Sequence, residues 1–407
     1  MKEYLNKTYL PAMLGAAIEY YDIALYGFMA PILVQVFLPH LPKTTAYFFY
    51  FLFEFFASLA QLAGAYFFGK MGDNDGRKNA MYYAMIGTSC TTFIVSVLPS
   101  YLSLGIFASF LFFATRLMQG FFLGGEYNGG AIYCLEHEQD HRKHGTVSGL
   151  YCALTACGII TASLAATAVN HYGSEYFRIA YGVSFLLAML TFFLRKSVNE
   201  TSEFLKAKLI SNKHFIRTSP FKLDYKNLVS LGIASLLFGI LYGIPTRIFN
   251  AIIPLVTSIS TNLTMIINSA FLVLYMLLLI MFGIIANRFK FKKMMYLTAF
   301  LTALLAYPII MLIESRSLEG IIIAKAIFTC LAAAFISPLH AFAQSLFITE
   351  ERYKLISIGY TLGKCCSTLI IALSVTTYDY LGNLYGIASI LTIIAIITWR
   401  ALYEKQT

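Results

Sequence analysis

Glu19 and Asp22 stand one helical turn apart in the apolar run Gly15-Ala16-Ala17-Ile18-Glu19-Tyr20-Tyr21-Asp22-Ile23-Ala24-Leu25-Tyr26-Gly27. That spacing puts both carboxyls on one helix face, and two like charges so close favour proton uptake by one of them. An acid inside an apolar segment is costly, so the pair points to proton exchange or to a cationic group held beside it. The basic groups able to answer it are Arg116 in the first half of the chain and Arg247, Lys325 and Lys364 in the second. Acids in one half and bases in the other suit a zwitterion or an organic anion that moves with protons. Tyr20, Tyr21 and Tyr26 offer π faces to a cation. The competing readings are a structural ion pair for the acids, an interfacial position for Lys325 and plain packing for the tyrosines. Proton coupling is assigned to Glu19 and Asp22, and substrate contact to Tyr26, Arg116, Arg247 and Lys364. Glu54 is compatible with a functional or a lipid-edge position, and His340 and Gln344 add polar groups near the end of the tenth apolar segment.

A second constellation is Phe68-Gly69-Lys70-Met71-Gly72-Asp73-Asn74-Asp75-Gly76-Arg77-Lys78, where one long apolar segment ends and another begins. Its glycines permit a tight reversal and close helix approach. Asp73 is placed to bond the start of a neighbouring helix, and Arg77 and Lys78 hold the turn on the cytoplasmic side. Gly69, Asp73, Gly76, Arg77 and Arg352 are assigned to a cytoplasmic gate. Glu126 joins them, about 15 Å along a helix from Arg116 and therefore in a different site; Glu136 shares its preferred reading of loop or gating contacts. Asp73-Asn74-Asp75-Gly76 resembles the opening of a calcium loop, but the later ligands and closing glutamate are missing.

The elements that position these residues follow from composition. The chain has 407 residues, 58% of them hydrophobic and 12% charged, with a net charge of +10 and a mean hydropathy of +0.70. The charged fraction of soluble domains is about 25%. An all-α integral membrane protein is expected, with twelve spans near 9–38, 46–70, 79–99, 101–136, 145–170, 177–195, 228–257, 262–287, 293–313, 317–348, 354–377 and 380–403. Lys and Arg collect in alternate loops, which places both termini and the basic connector 196–227 in the cytoplasm. The connector divides the chain into six-helix bundles, 1–195 and 228–407. Phe282-Gly283-Ile284-Ile285-Ala286-Asn287 echoes Phe68 to Asp73 with an amide in place of the acid, as two repeats around a shared midplane site require.

The basic charge is accounted for by positive-inside loops rather than nucleic-acid binding. Seven cysteines (90, 134, 152, 157, 330, 365, 366) lack metal-ligand spacing and read as small apolar residues. The His137–His144 loop can bind metal, but a solvated charged loop is the preferred reading. Glu19 and Asp22 exclude a cleavable signal from the first apolar run. No metal or cofactor is expected, and the partners are a small-molecule substrate, the proton and the bilayer, with a monomer as the functional unit. A membrane-embedded enzyme would need catalytic groups clustered at one depth, which the sequence does not show.

The turn at 69–78 resembles the G-x-x-x-D-x-x-G-R-K signature of the major facilitator superfamily, with Gly69, Asp73, Gly76, Arg77 and Lys78 in register. Four further stretches resemble its metabolite:proton symporter branch, the proline/betaine, α-ketoglutarate, citrate and shikimate carriers. Glu19 to Asp22 with Tyr26-Gly27 is similar to E-W-F/Y-D…Y-G. Arg116 to Glu126 matches R-x-x-Q-G-x-x-x-G-G-E, Phe177-Arg178-Ile179 resembles W-R-I-P, and Asn199-Glu200-Thr201 with Phe204 resembles E-S/T-P-x-F. Helices 10 and 11 add Leu346-Phe347, Arg352-Tyr353 and Gly359 to Gly363. The chain departs from the branch at Gln61-Leu62-Ala63-Gly64, where R-P-L-G is usual. Ser345 and Ile348 replace an acid and a proline, and Tyr20 and Phe177 replace tryptophans. The sequence stops soon after the twelfth span, so the C-terminal coiled coil of osmosensing relatives is expected to be absent. The resemblance implies alternating-access proton symport of a small carboxylated metabolite across a bacterial inner membrane. A zwitterionic osmolyte is the alternative substrate, and a passive facilitator or a transport-derived sensor is the alternative role.

Overall fold

The computed structural model describes residues 9–196, 199–213, 224–249, 253 and 261–403. All regular elements among them are helices. Ten are long and apolar enough to cross a membrane, and an eleventh span is the bent pair Leu10–Phe28 and Ala30–Phe37. Arg352–Leu381 completes the order. The all-helical multi-span architecture expected from composition is what the chain adopts. Phenylalanine, leucine and tyrosine side chains such as Phe48, Phe107, Phe110 and Leu186 lie on the outside, where lipid rather than water must be their solvent.

Several spans differ from the sequence pattern for identifiable reasons. The first breaks at Met29 with a 67° bend, because Pro31, the second residue of the piece Ala30–Phe37, lacks the N–H that a continuous helix needs there. The tenth is interrupted between Leu318–Ile336 and Leu339–Leu346, with Pro338 at the break. The fourth starts at Ile106, after a short turn ended by Gly105 at φ +60°. The helix Lys43–Asn74 runs four residues past its expected end at 70, so that Asp73 sits in its last turn. The connector carries a helix of its own, Ser202–Lys213. Seventh-span residues 250–252 and 254–257 lie outside the described residues.

The chain forms two compact units: residues 1–137, 154–221 and 348–361 make the first, and 138–153, 222–347 and 362–407 the second. In the first, Lys43–Asn74 packs along Ile106–His137, and Arg77–Val97 along Phe177–Lys196. The closeness of the first pair is set by Gly124: a Cβ there would lie 2.4 Å from the Ala65 nitrogen and the Gln61 oxygen, so only glycine lets the backbones meet. In the second unit Phe291–Glu314 packs on Tyr385–Tyr403 and on Leu318–Ile336. Residues 145–149 lie against 279–283 there, with the Ser148 hydroxyl donating to the Ser337 carbonyl at 2.5 Å.

Candidate functional site

Two polar assemblies occupy the first unit. One is buried among the helices around Asp22. Glu19 and Asp22 are each 4% exposed, held inside by the helix Leu10–Phe28. One Asp22 carboxyl oxygen accepts a hydrogen bond from Thr92 Oγ1 at 2.6 Å, and the other accepts from Ser184 Oγ. Thr92 in turn accepts from Gln119 Nε2 at 3.1 Å, and Gln119 Oε1 accepts from Arg116 Nη1. The Arg116 guanidinium lies over the Tyr26 ring, 3.7 Å from its centroid. Tyr26 and Tyr50 stack at 4.2 Å and exchange hydroxyl-to-carbonyl hydrogen bonds of 3.0 and 2.8 Å.

The acid and the base are thus joined through a hydroxyl and an amide rather than by direct contact. Asp22, Thr92, Gln119 and Arg116 each make at least one hydrogen bond along this path, which offsets part of the cost of burying the two charges. The Arg116–Gln119 link follows from their one-turn spacing on a single helix. Elsewhere in the first unit, three buried tyrosines converge: Tyr20 and Tyr127 have ring centroids 4.9 Å apart, Tyr127 and Tyr360 5.3 Å, and the Tyr20 and Tyr360 hydroxyls are 3.4 Å apart.

The other assembly is built on the loop at 69–78. Arg77, whose side chain is fully buried, bridges four elements. Its Nη1 donates to the Gly72 carbonyl at 2.6 Å and to Asp73 at 3.0 Å. Its Nη2 donates to Glu136 at 3.0 Å and to the Thr349 carbonyl at 2.5 Å. Asp73 turns its two oxygens to the backbone N–H groups of Tyr353 and Lys354, both at 3.0 Å. These are first-turn donors of the helix Arg352–Leu381 that have no partner within it, and a carboxylate at a helix N-terminus is favourable. Glu136 also accepts from Arg352 Nη1 at 3.0 Å and Thr201 Oγ1 at 2.6 Å, while Arg352 reaches Glu203 at 2.6 Å. The Tyr353 ring fits where Gly72 and Gly129 have no side chain, and its hydroxyl donates to the Gly125 carbonyl at 2.5 Å. Gly76 has φ +111°, a conformation open to glycine and strained for other residues.

The structure therefore groups Asp22, Arg116 and Tyr26 in one network and Gly69, Asp73, Arg77 and Arg352 in another, with Gly76 at the turn. Glu126 stands apart from the second: it accepts from Thr88 Oγ1 at 3.1 Å. Glu136, ten residues further along the same helix, holds the place among the arginines. Lys364 is half-buried and belongs to the second unit. Arg247 lies on the turn Ile244–Ile248, and its side chain lies outside the described residues. Thr92, Ser184, Thr201 and Glu203 are contributors that single-residue reasoning passes over, because hydroxyls and surface acids are common in helices. Gln119, Thr201 and Glu203 do lie within or beside stretches already distinguished by pattern.

Comparison with known proteins agrees with this architecture. The family model described as "Sugar (and other) transporter" matches residues 8–213. A glycine betaine/proline/ectoine/pipecolic acid transporter of Dickeya dadantii is 26% identical, over 99% of this chain and 84% of its own length. A proline/betaine transporter of Salmonella typhimurium is 25% identical, over 97% and 82%. Among solved structures, the proton:xylose symporter XylE superposes with a TM-score of 0.81 at 14% identity, covering 99% of this chain and 96% of that one. The human organic anion transporter MFSD10 gives 0.74 at 14%, covering 97% and 99%. The chain belongs to the sugar (and other) transporter family, has the fold of the major facilitator superfamily, and is a multi-pass membrane transporter rather than an enzyme.

Proposed function

We propose that this protein is a proton-coupled carrier of a small zwitterion carrying a carboxylate and an ammonium group, of the proline/betaine class. It works by alternating access between two six-helix halves, 1–195 and 228–407, as a monomer in a bacterial-type inner membrane. Both termini and the connector 196–227 face the cytoplasm in this reading. The observation that carries the proposal is the unbroken path Asp22–Thr92–Gln119–Arg116–Tyr26. It ties a buried acid to a buried base that lies over the Tyr26 ring, and the same unit holds a cluster of Tyr20, Tyr127 and Tyr360. A base for a carboxylate, with acids and aromatic faces for an ammonium, matches a substrate bearing both charges. The substrates named for the Dickeya and Salmonella relatives are of that kind.

Protonation can act along this path by simple hydrogen-bond bookkeeping. An ionised Asp22 only accepts, and takes bonds from Thr92 and Ser184. A proton on Asp22 makes one of its oxygens a donor, so one of those hydroxyls has to turn. If it is Thr92, the acceptor offered to Gln119 changes, and Gln119 fixes Arg116. Proton occupancy at Asp22 would then bias how Arg116 is presented to a carboxylate. Asp73, Gly76, Arg77, Glu136 and Arg352 would latch the cytoplasmic side, setting the balance of conformational states.

The test is uptake of labelled proline, betaine, α-ketoglutarate, citrate and shikimate into proteoliposomes, with and without an inward proton gradient. Gradient-driven accumulation of proline or betaine is the expected result. Accumulation of a dicarboxylate or tricarboxylate instead would replace the zwitterion with an organic acid, and equilibration alone would make the protein a facilitator. Asp22→Asn should abolish accumulation while leaving exchange, and uphill uptake by that variant would remove Asp22 from coupling.

A further inference from the structure

Sequence alone leaves Glu54 between a functional and a lipid-edge position, and the helix that carries it decides. On Lys43–Asn74 the residues turned into the first unit are Ala46, Tyr50, Ala57, Gln61, Ala65 and Phe68, none more than 7% exposed. Phe48, Phe51, Leu59 and Tyr66 form the exposed, lipid-facing side. At about 100° per residue, Glu54 falls on the buried stripe, one turn past Tyr50, one before Ala57 and two before Gln61. Yet Glu54 itself is partly exposed. An acid that keeps accessible surface amid a buried stripe faces an opening inside the protein and not lipid.

Contacts with Ile106–His137 fix its depth. The Phe53 and Phe113 rings stack with centroids 3.6 Å apart, and Gly120 leaves room for the Ala57 carbonyl, which a Cβ there would strike. The two helices therefore advance in the same direction, with residues 113–120 beside 53–57. Arg116 and Glu54 both lie inside those intervals, and so at one level. Both also adjoin the Tyr26–Tyr50 stack: Arg116 lies over Tyr26, and Glu54 follows Tyr50 by one helical turn. Gln61, the next polar side chain of the stripe, is neutral and donates its amide to the Leu123 carbonyl at 3.5 Å. An acid and a base are thus held at one depth, on different helices, beside a pair of aromatic rings.

We infer that Glu54 receives the ammonium of the zwitterion whose carboxylate Arg116 receives, and that it thereby selects zwitterions over simple organic acids. The inference rests on the zwitterion reading above and adds the residue that rejects the competing substrate class. Asp22 has both oxygens engaged by hydroxyls, and Glu19 is 4% exposed, whereas Glu54 retains surface for a ligand. A carboxylate ligand without an ammonium would bring a like charge to Glu54 with nothing to offset it, which is how a site discriminates by repulsion as well as by attraction.

Isothermal titration of the purified protein in lipid nanodiscs tests it, with proline and with cyclopentanecarboxylate, the carbocyclic isostere that lacks the ammonium. The unaltered protein should bind proline at least about tenfold more tightly, since a hydrogen bond to a charged group is worth roughly that factor or more. Glu54→Gln should bring the two ligands to similar affinity, chiefly by weakening proline. Glu54→Asp, which keeps the charge, should restore part of the preference. A proline preference undiminished in Glu54→Gln would overturn the role of Glu54 and leave the zwitterion reading intact. So would an equal loss of both ligands in the two variants, the mark of a structural residue. Equal binding of the two ligands by the unaltered protein, or binding of neither, would overturn the zwitterion reading and this inference with it.

Discussion

The loop after Lys43–Asn74 and the loop after Thr261–Ala286 solve one structural problem with different chemistry. In the first unit Asp73 caps the helix that begins at Arg352, accepting from two backbone N–H groups at 3.0 Å each. In the second, Asn287 caps the helix that begins at His144: its Oδ1 accepts from the Thr146 N–H at 3.1 Å, and its Nδ2 donates to Thr146 Oγ1 at 2.6 Å. Both loops bring a glycine into backbone contact, Gly69 on Lys354 and Gly283 on Gly145 and Gly149. The charged surroundings are what differ. Asp73 is backed by Arg77, Glu136 and Arg352, with the Arg77 and Glu136 side chains fully buried. Asn287 is half-buried and neutral. A buried ion cluster is weak evidence for net stability but is severely disrupted when one member is removed, whereas a neutral cap loses only its own bonds. The first clamp should therefore behave as a unit that is either made or broken, and the second as a graded contact.

The largest effect should come from Arg77→Met. It leaves Glu136 without one of its two arginines and removes the donor to the Gly72 and Thr349 carbonyls. A loss of about 3–5 kcal/mol is expected from breaking a buried pair on one side, visible as a large fall in unfolding temperature in detergent. A fall no greater than that of an exposed lysine variant would mean that the cluster is not the energetic core of the clamp. Next comes Gly69→Ala, whose Cβ would lie 2.6 Å from Lys354 Cα. Backbone cannot swing aside as a side chain can, so a cost of about 1–3 kcal/mol follows. Normal stability in that variant would show that the two helices can separate freely at this point.

Asp73→Asn converts the first clamp toward the chemistry of the second, and should be milder. The amide oxygen can still cap one N–H, but the pairing with Arg77 and the second cap are lost, for about 2 kcal/mol. Uptake and exchange should slow together, because a gate contact serves every mode of transport. Selective loss of accumulation, with exchange intact, would instead move Asp73 into the coupling machinery.

The legible part of this molecule was the part with periodic or charged signals. Apolar runs and loop charges located the spans, and the glycine–acid–base loop stood out because its spacing has no other common use. The interruptions at Met29 and Pro338 were harder, since proline inside a membrane helix is tolerated and the pattern carries through it. Spacing alone could not rank Glu126 against Glu136: both lie on one helix, and their different partners, Thr88 in one case and two arginines in the other, depend on which neighbour packs at that depth. Thr92 and Ser184 gave no signal at all, because hydroxyls in apolar helices ordinarily bond their own backbone, as Thr91 and Ser89 do here. Only the packing of three helices shows that these two turn to Asp22.

The smallest expected effect tests the comparison most sharply. Asn287→Asp keeps an acceptor for the Thr146 N–H, and the Thr146 hydroxyl, now facing a carboxylate, can donate instead of accepting. The added charge lies at the start of the helix His144–Tyr172, where a negative group is favourable by about 0.3–1 kcal/mol, and half-burial keeps its desolvation modest. Stability should change by less than about 1 kcal/mol in either direction, while Asn287→Ala, losing both bonds, should cost about 1–2 kcal/mol. If Asn287→Asp were instead as damaging as Arg77→Met, neutrality itself would be a requirement of the second clamp. The two loops would then be opposites selected for their charge, and not a strong and a weak version of one device.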